Sequence, residues 1–168
     1  MKKYLEKILK HIVANKDLCE VEQIDGSTTT LVIRVAGEDY GRIVGQKGRT
    51  INLISYLVET YGKIHNKPHR CILEEPQTKE WGKRETFTVN MQWNPEEVLE
   101  DLQSFINLFS LCNLSVVVTG SNVIFECKLE AMMNGKRMEQ EVKEGIKFLA
   151  LAMCKGYGRN GLVDFHEL

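Results

Sequence analysis

Val35-Ala36-Gly37-Glu38-Asp39-Tyr40-Gly41-Arg42-Ile43-Val44-Gly45-Gln46-Lys47-Gly48-Arg49-Thr50 is the stretch whose reading decides the fold. Its centre, Gly45-Gln46-Lys47-Gly48, is a four-residue turn with glycine at both ends, set between two segments with helical apolar spacing. Before it, Glu38 and Asp39 suit a helix start, and Tyr40, Ile43 and Val44 share one face of about two turns. After it, Ile51, Ile54, Leu57, Val58 and Tyr61 recur at helical spacing as far as Gly62, which reads as a C-cap. Glycine at each end of the turn tolerates positive φ and lets another backbone approach closely. Lys47 and Arg49 place cations where the second helix begins with unpaired N–H groups, an arrangement suited to a phosphate.

Upstream, Thr28 to Val35 is rich in β-branched residues and reads as a strand. Asp25-Gly26-Ser27 reads as a hairpin turn to a partner arm, Glu20 to Ile24, with Val21 facing a core. The floor of a groove beside the turn falls to Ile43 and Val44, with Ile33 or Val35 from the strand; ordinary core packing is the competing reading for all four.

Taken together, these residues resemble a KH domain of the type II arrangement, α-β-β-α-α-β, across residues 1–75. The run from Val35 to Thr50 is most similar to that of the small KhpA-like RNA-binding proteins of bacteria, with Gly41, Arg42, Ile43, Gly45, Lys47, Gly48 and Arg49 in motif positions. The resemblance implies single-stranded RNA held across the turn, about four nucleotides per domain, by Arg42, Ile43, Val44, Gly45, Gln46, Lys47, Gly48 and Arg49. It also implies a bacterial cytoplasmic protein that pairs with a second KH protein. The order Gln46-Lys47 departs from a family that often puts its basic residue first.

The chain has 168 residues, 43% of them hydrophobic, enough for packed cores in one ordinary domain or two small ones. No run approaches the roughly 18 apolar residues of a membrane span, and the start Met1-Lys2-Lys3-Tyr4-Leu5-Glu6-Lys7 lacks a continuous apolar segment for secretion. Five cysteines without a C-x-x-C pair suggest buried free thiols, and His11, His65, His69 and His166 show no metal spacing. No metal, cofactor or catalytic residue is expected, and a cytosolic location is. The net charge of −1 argues against a dedicated nucleic-acid binder. Residues 1–75 carry 12 basic against 10 acidic side chains and the remainder 10 against 13, so the sign of the asymmetry favours the first half.

Residues 76–85 read as a linker, with Trp81 either docking the halves or stacking on a base. Residues 86–168 read as a second α+β domain, β-α-β-β-α, that contacts a partner or another copy. Thr86 to Trp93 alternates as a half-buried strand, and Asn94-Pro95-Glu96-Glu97 is a helix start with an N-cap and proline at the first position. Leu114 to Val118 and Asn122 to Leu129 form strands, and a last helix runs from about Lys136 to Cys154. Its helix-strand-turn-strand-helix order echoes the first half, so a degenerate KH-like unit stands beside an unrelated sandwich as an alternative; Asn134-Gly135-Lys136-Arg137 would sit at the turn with a single glycine. Gly156-Tyr157-Gly158-Arg159-Asn160-Gly161 matches the letters of a dinucleotide fingerprint but lacks its βαβ context, and reads as a flexible tail. A non-enzymatic protein adaptor with a faded RNA site is the alternative function.

Overall fold

The computed structural model describes residues 1–76, 92–109, 114–119, 122–129 and 136–167. The first half runs α1 (Lys2–Ile12), β1 (Glu20–Ile24), β2 (Thr29–Arg34), α2 (Gly37–Val44), a single tight turn over Gln46–Gly48, α3 (Arg49–Ile64) and β3 (His69–Leu73). The described elements of the second half are α4 (Pro95–Ile106), β4 (Leu114–Thr119), β5 (Asn122–Leu129), α5 (Lys136–Gly156) and β6 (Asn160–Glu167).

Helix α1 forms because Leu5, Ile8, Leu9 and Ile12 fall on one stripe, and all four are buried. It packs on a three-stranded sheet in which β2 is central, antiparallel to β1 and parallel to β3. The register Val21↔Ile33↔Leu73 lines up the inward-facing residues. On the outer face Arg34 pairs with Glu22 and Glu74, each at 2.6 Å. The second sheet has the same order and strand senses, β5 being central, antiparallel to β4 and parallel to β6.

Asn94 caps α4 as its sequence suggests, its side-chain oxygen accepting from the amides of Glu96 (3.1 Å) and Glu97 (3.4 Å), with Pro95 at the first position. Two readings are corrected. The glycine-rich stretch after α5 does not lead into a flexible tail: Asn160–Glu167 pairs with all of β5 in parallel, from Asn122↔Asn160 to Leu129↔Glu167. Local glycine content concealed a strand whose partner is distant in sequence. Gly62 does not cap α3, which continues to Ile64. Glycine is needed there because the chain returning into β3 passes against it, and a Cβ would lie 2.6 Å from the Lys67 carbonyl oxygen and the His69 amide nitrogen.

The linker with Trp81, the strand residues 86–91, the hairpin positions 120–121 and Asn134-Gly135 lie outside the described residues. Gln92 and Trp93 are described and belong to no regular element.

The halves share one core. Leu5, Leu9, Leu57 and Val58 from the first half and Val98, Leu102, Phe105, Val142, Ile146, Leu149 and Met153 from the second belong to a single buried apolar cluster. Two glycines of α5 set the closeness of the approach: a Cβ on Gly145 would stand 3.0 Å from Leu57 of α3, and one on Gly156 would stand 2.2 Å from the His11 carbonyl oxygen of α1. Among the described residues no helix is long and apolar enough to cross a membrane.

Candidate nucleic-acid interface

Among the described residues, the turn between α2 and α3 is exposed at Gln46 and Lys47 and is not absorbed into a continuous helix. Gly45 closes α2 at φ 72° and ψ 179°, Lys47 lies in the left-handed region at φ 53° and ψ 32°, and Gly48 follows at φ 75°. The Gly48 amide donates to the Gly45 carbonyl at 3.2 Å, which holds the bend tight. The two glycines serve different physical needs. Gly45 has no room for a side chain, since a Cβ would stand 2.1 Å from Thr50 Oγ1, whereas Gly48 faces open space with only Asn52 Nδ2 at 3.7 Å.

Gln46, Lys47 and Arg49 are exposed along this bend. A lysine held at positive φ costs the fold on the order of 1 kcal/mol. Arg49, at the first position of α3, places a cation at the positive end of a helix dipole, and the first turn holds no acid to offset it. Both features oppose stability, and the two exposed cations favour an anion at this point.

The other expected site residues fall differently. Ile43 is fully enclosed and offers no surface to a base, while Val44 and Val35 are half-buried. Ile33 is fully enclosed as well. Arg42 is turned back toward the protein, its Nε 3.5 Å from Asp39 Oδ1, with 14% of its side chain exposed. Asp39 is fully buried and accepts from the amides of Ala14 and Asn15, each at 2.8 Å. It therefore ties the chain leaving α1 to the start of α2. That role was not visible in the sequence, where Asp39 reads as an ordinary first-turn acid.

A second constellation also escaped the sequence reading. His11 of α1 is buried, its Nε2 2.9 Å from Asp101 Oδ2 of α4 and its Nδ1 2.6 Å from the Tyr157 hydroxyl. Lys7 donates to Asp101 Oδ1 at 2.7 Å. A carboxylate only accepts, so a neutral imidazole with its proton on Nε2 satisfies both neighbours, with Tyr157 donating to Nδ1. Burial first, and nearby Lys16 in addition, pull the His11 pKa below its ordinary value despite the pull of Asp101. Burial pushes the Tyr157 hydroxyl up to about 12. His11, Glu97 and Asp101 come close enough together to suggest a metal site. Both ring nitrogens of His11 and both oxygens of Asp101 are engaged in the contacts above, however, and the group serves as a polar joint between the halves.

Cys19, Cys71 and Cys154 are free, and burial raises each thiol to about 12, so none has the thiolate character of a reactive cysteine.

Comparison with known proteins bears on the first half. The family model described as KhpA/KhpB, KH domain, matches residues 2–73. The RNA-binding protein KhpA of Caldanaerobacter subterraneus subsp. tengcongensis is 35% identical over 75 residues, covering 44% of this chain and 97% of the relative. That of Chlamydia trachomatis serovar D is 32% identical over 77 residues, covering 45% of this chain and 99% of the relative. That of Chlamydia pneumoniae is 31% identical over 67 residues, covering 39% and 86%. The alignment takes in nearly the whole of each relative and ends here near β3, and by its first 73 residues this chain belongs to the KhpA/KhpB family of KH-domain proteins.

Proposed function

We propose that this chain is a non-enzymatic RNA-binding protein that grips single-stranded RNA on the turn Gly45–Gly48, with Lys47 and Arg49 meeting phosphates and the half-buried Val44 beside the bases. The observation that carries this reading is the exposed bend itself: a lysine at positive φ and an arginine at a helix start, both against the interest of the fold. The relatives' names, each an RNA-binding protein, support it. Arg42 acts chiefly through Asp39 in this reading, and Gln46 supplies a polar contact. The free thiols suit the reducing cytoplasm in which we place the protein.

For the second half, the strand order and senses it shares with the first favour a KH-like unit that has lost its clamp. We assign it to an internal partner, since its helices share a core with α1 and α3.

Gel-shift titration of short single-stranded RNA against the full chain, at fixed salt, tests the clamp. Lys47→Asp or Gly48→Asp is expected to weaken binding at least about tenfold, because each sets an acid beside a phosphate. Gly48→Asp is informative because its site has space and aspartate tolerates left-handed geometry. Unchanged affinity in both variants refutes the assignment.

The net charge of −1 favours a second reading, a protein adaptor that keeps the fold without RNA affinity. Crosslinking and pull-down separate the two, since an adaptor recovers polypeptide and no RNA above background.

A further inference from the structure

The Arg49 guanidinium carbon lies 3.9 Å from the centre of the Phe148 ring, a contact that joins the clamp of the first half to α5 of the second. Arg49 is exposed and Phe148 is half-buried, so the ring covers one side of the guanidinium and leaves the group in touch with solvent. Stacking engages the face of a guanidinium, while its five N–H donors lie in the plane and point outward from the edge. An arginine held this way loses little of its capacity to bind phosphate and much of its freedom to swing away.

The ring is itself fixed. One turn before it, Gly145 packs against Leu57 of α3, and one turn earlier still Glu141 accepts from the Tyr56 hydroxyl. Three successive turns of α5 thus bear on α3, and the last of them bears on the residue next to Gly48.

We infer that Phe148 is a positioning residue for the RNA clamp, holding Arg49 ready for a phosphodiester oxygen beside the Gly45–Gly48 turn, so that the second half takes part in binding without touching RNA itself. This rests on the RNA reading given above. It gives the second half a defined task in that function and accounts for an arginine kept in order at a helix end where the dipole repels it.

The test uses the full chain and a labelled single-stranded RNA of about eight nucleotides, titrated at several salt concentrations. Phe148→Leu keeps apolar bulk and removes the π face; Phe148→Tyr keeps the face. The leucine variant is expected to bind about three- to tenfold more weakly and to lose about 0.7 from the magnitude of the log–log salt slope, one phosphate's share. The tyrosine variant is expected to retain both. In an Arg49→Gln background, Phe148→Leu should change neither quantity further, which separates positioning from packing.

Wild-type slope and affinity in Phe148→Leu overturn the inference while leaving the clamp intact. An equal loss from Phe148→Leu with and without Arg49 also overturns it, since a loss that ignores Arg49 is structural. A wild-type chain without RNA affinity overturns this inference and the function on which it rests together.

Discussion

His11 Nε2 and Asp101 Oδ2 lie 2.9 Å apart across 90 residues of sequence, joining α1 of the first half to α4 of the second in a buried contact. With the Tyr157 hydroxyl on the other ring nitrogen, the imidazole bridges three segments, beside the Lys7–Asp101 ion pair of α1 with α4 and the shared apolar packing. The joint has a pH dependence whose sign follows from burial. Because the folded-state pKa of His11 is depressed, the unfolded chain binds the proton more readily, and stability falls as the pH drops below the ordinary histidine value of 6.5. Urea unfolding between pH 7.5 and 5.5 should show this decline. His11→Asn should lower stability throughout and flatten the profile, whereas an equally steep profile in that variant would assign the proton uptake elsewhere.

The closeness of the halves depends on Gly156. Alanine there would drive a methyl group to 2.2 Å from the His11 carbonyl oxygen, and a backbone atom cannot be displaced by rotating a side chain. Gly156→Ala should lower stability by about 1–3 kcal/mol, a melting-temperature loss of roughly 2–12 °C. Calorimetry of the full chain measures it, and an unchanged transition would contradict the packing of α5 on α1.

The two turn glycines should respond unequally to substitution. Gly45→Ala meets both positive φ and Thr50, and should cost about 1–3 kcal/mol. Gly48→Asn meets only the φ requirement, which asparagine accepts, and should stay within about 1 kcal/mol of wild type. Chemical denaturation of the pair checks the turn geometry independently of RNA.

Asp39 gives a further test. Replacement by alanine leaves the Ala14 and Asn15 amides without their buried acceptor and removes the partner 3.5 Å from Arg42 Nε. A loss of about 2–5 kcal/mol is expected from the orphaned donors. Hydrogen exchange at Ala14 and Asn15 should rise well above that of wild type, and unaltered protection at both amides would deny Asp39 this role.

What the sequence displayed was local chemistry, and what it concealed was pairing over distance. The Gly45–Gly48 turn and the Asn94-Pro95 cap each rest on residues within a few positions of one another, and each matches its element. Strand β6 begins within a run with glycine at 156, 158 and 161, and its parallel partner β5 begins 38 residues earlier, at Asn122 against Asn160, so nothing beside it announced a strand. Gly62 reads as a cap, and its close approach shows only with the return of Lys67 and His69. At the bend, the exposure of Lys47 and Arg49 was legible from charge and position. The burial of Ile43, the inward turn of Arg42, and the contacts of His11 and Phe148 were not, because each depends on a neighbour supplied by another segment.

The central claim is that RNA meets this protein at the bend between α2 and α3, and a nitrogen-15 NMR titration of the full chain with a short single-stranded RNA addresses it most directly. The account predicts that the amides of Gly45, Gln46, Lys47, Gly48, Arg49 and Thr50 shift most, with the exposed outer strand positions Ile24 and Ile72 almost still. Largest shifts on the outer sheet faces, with the bend unmoved at saturating RNA, would contradict it.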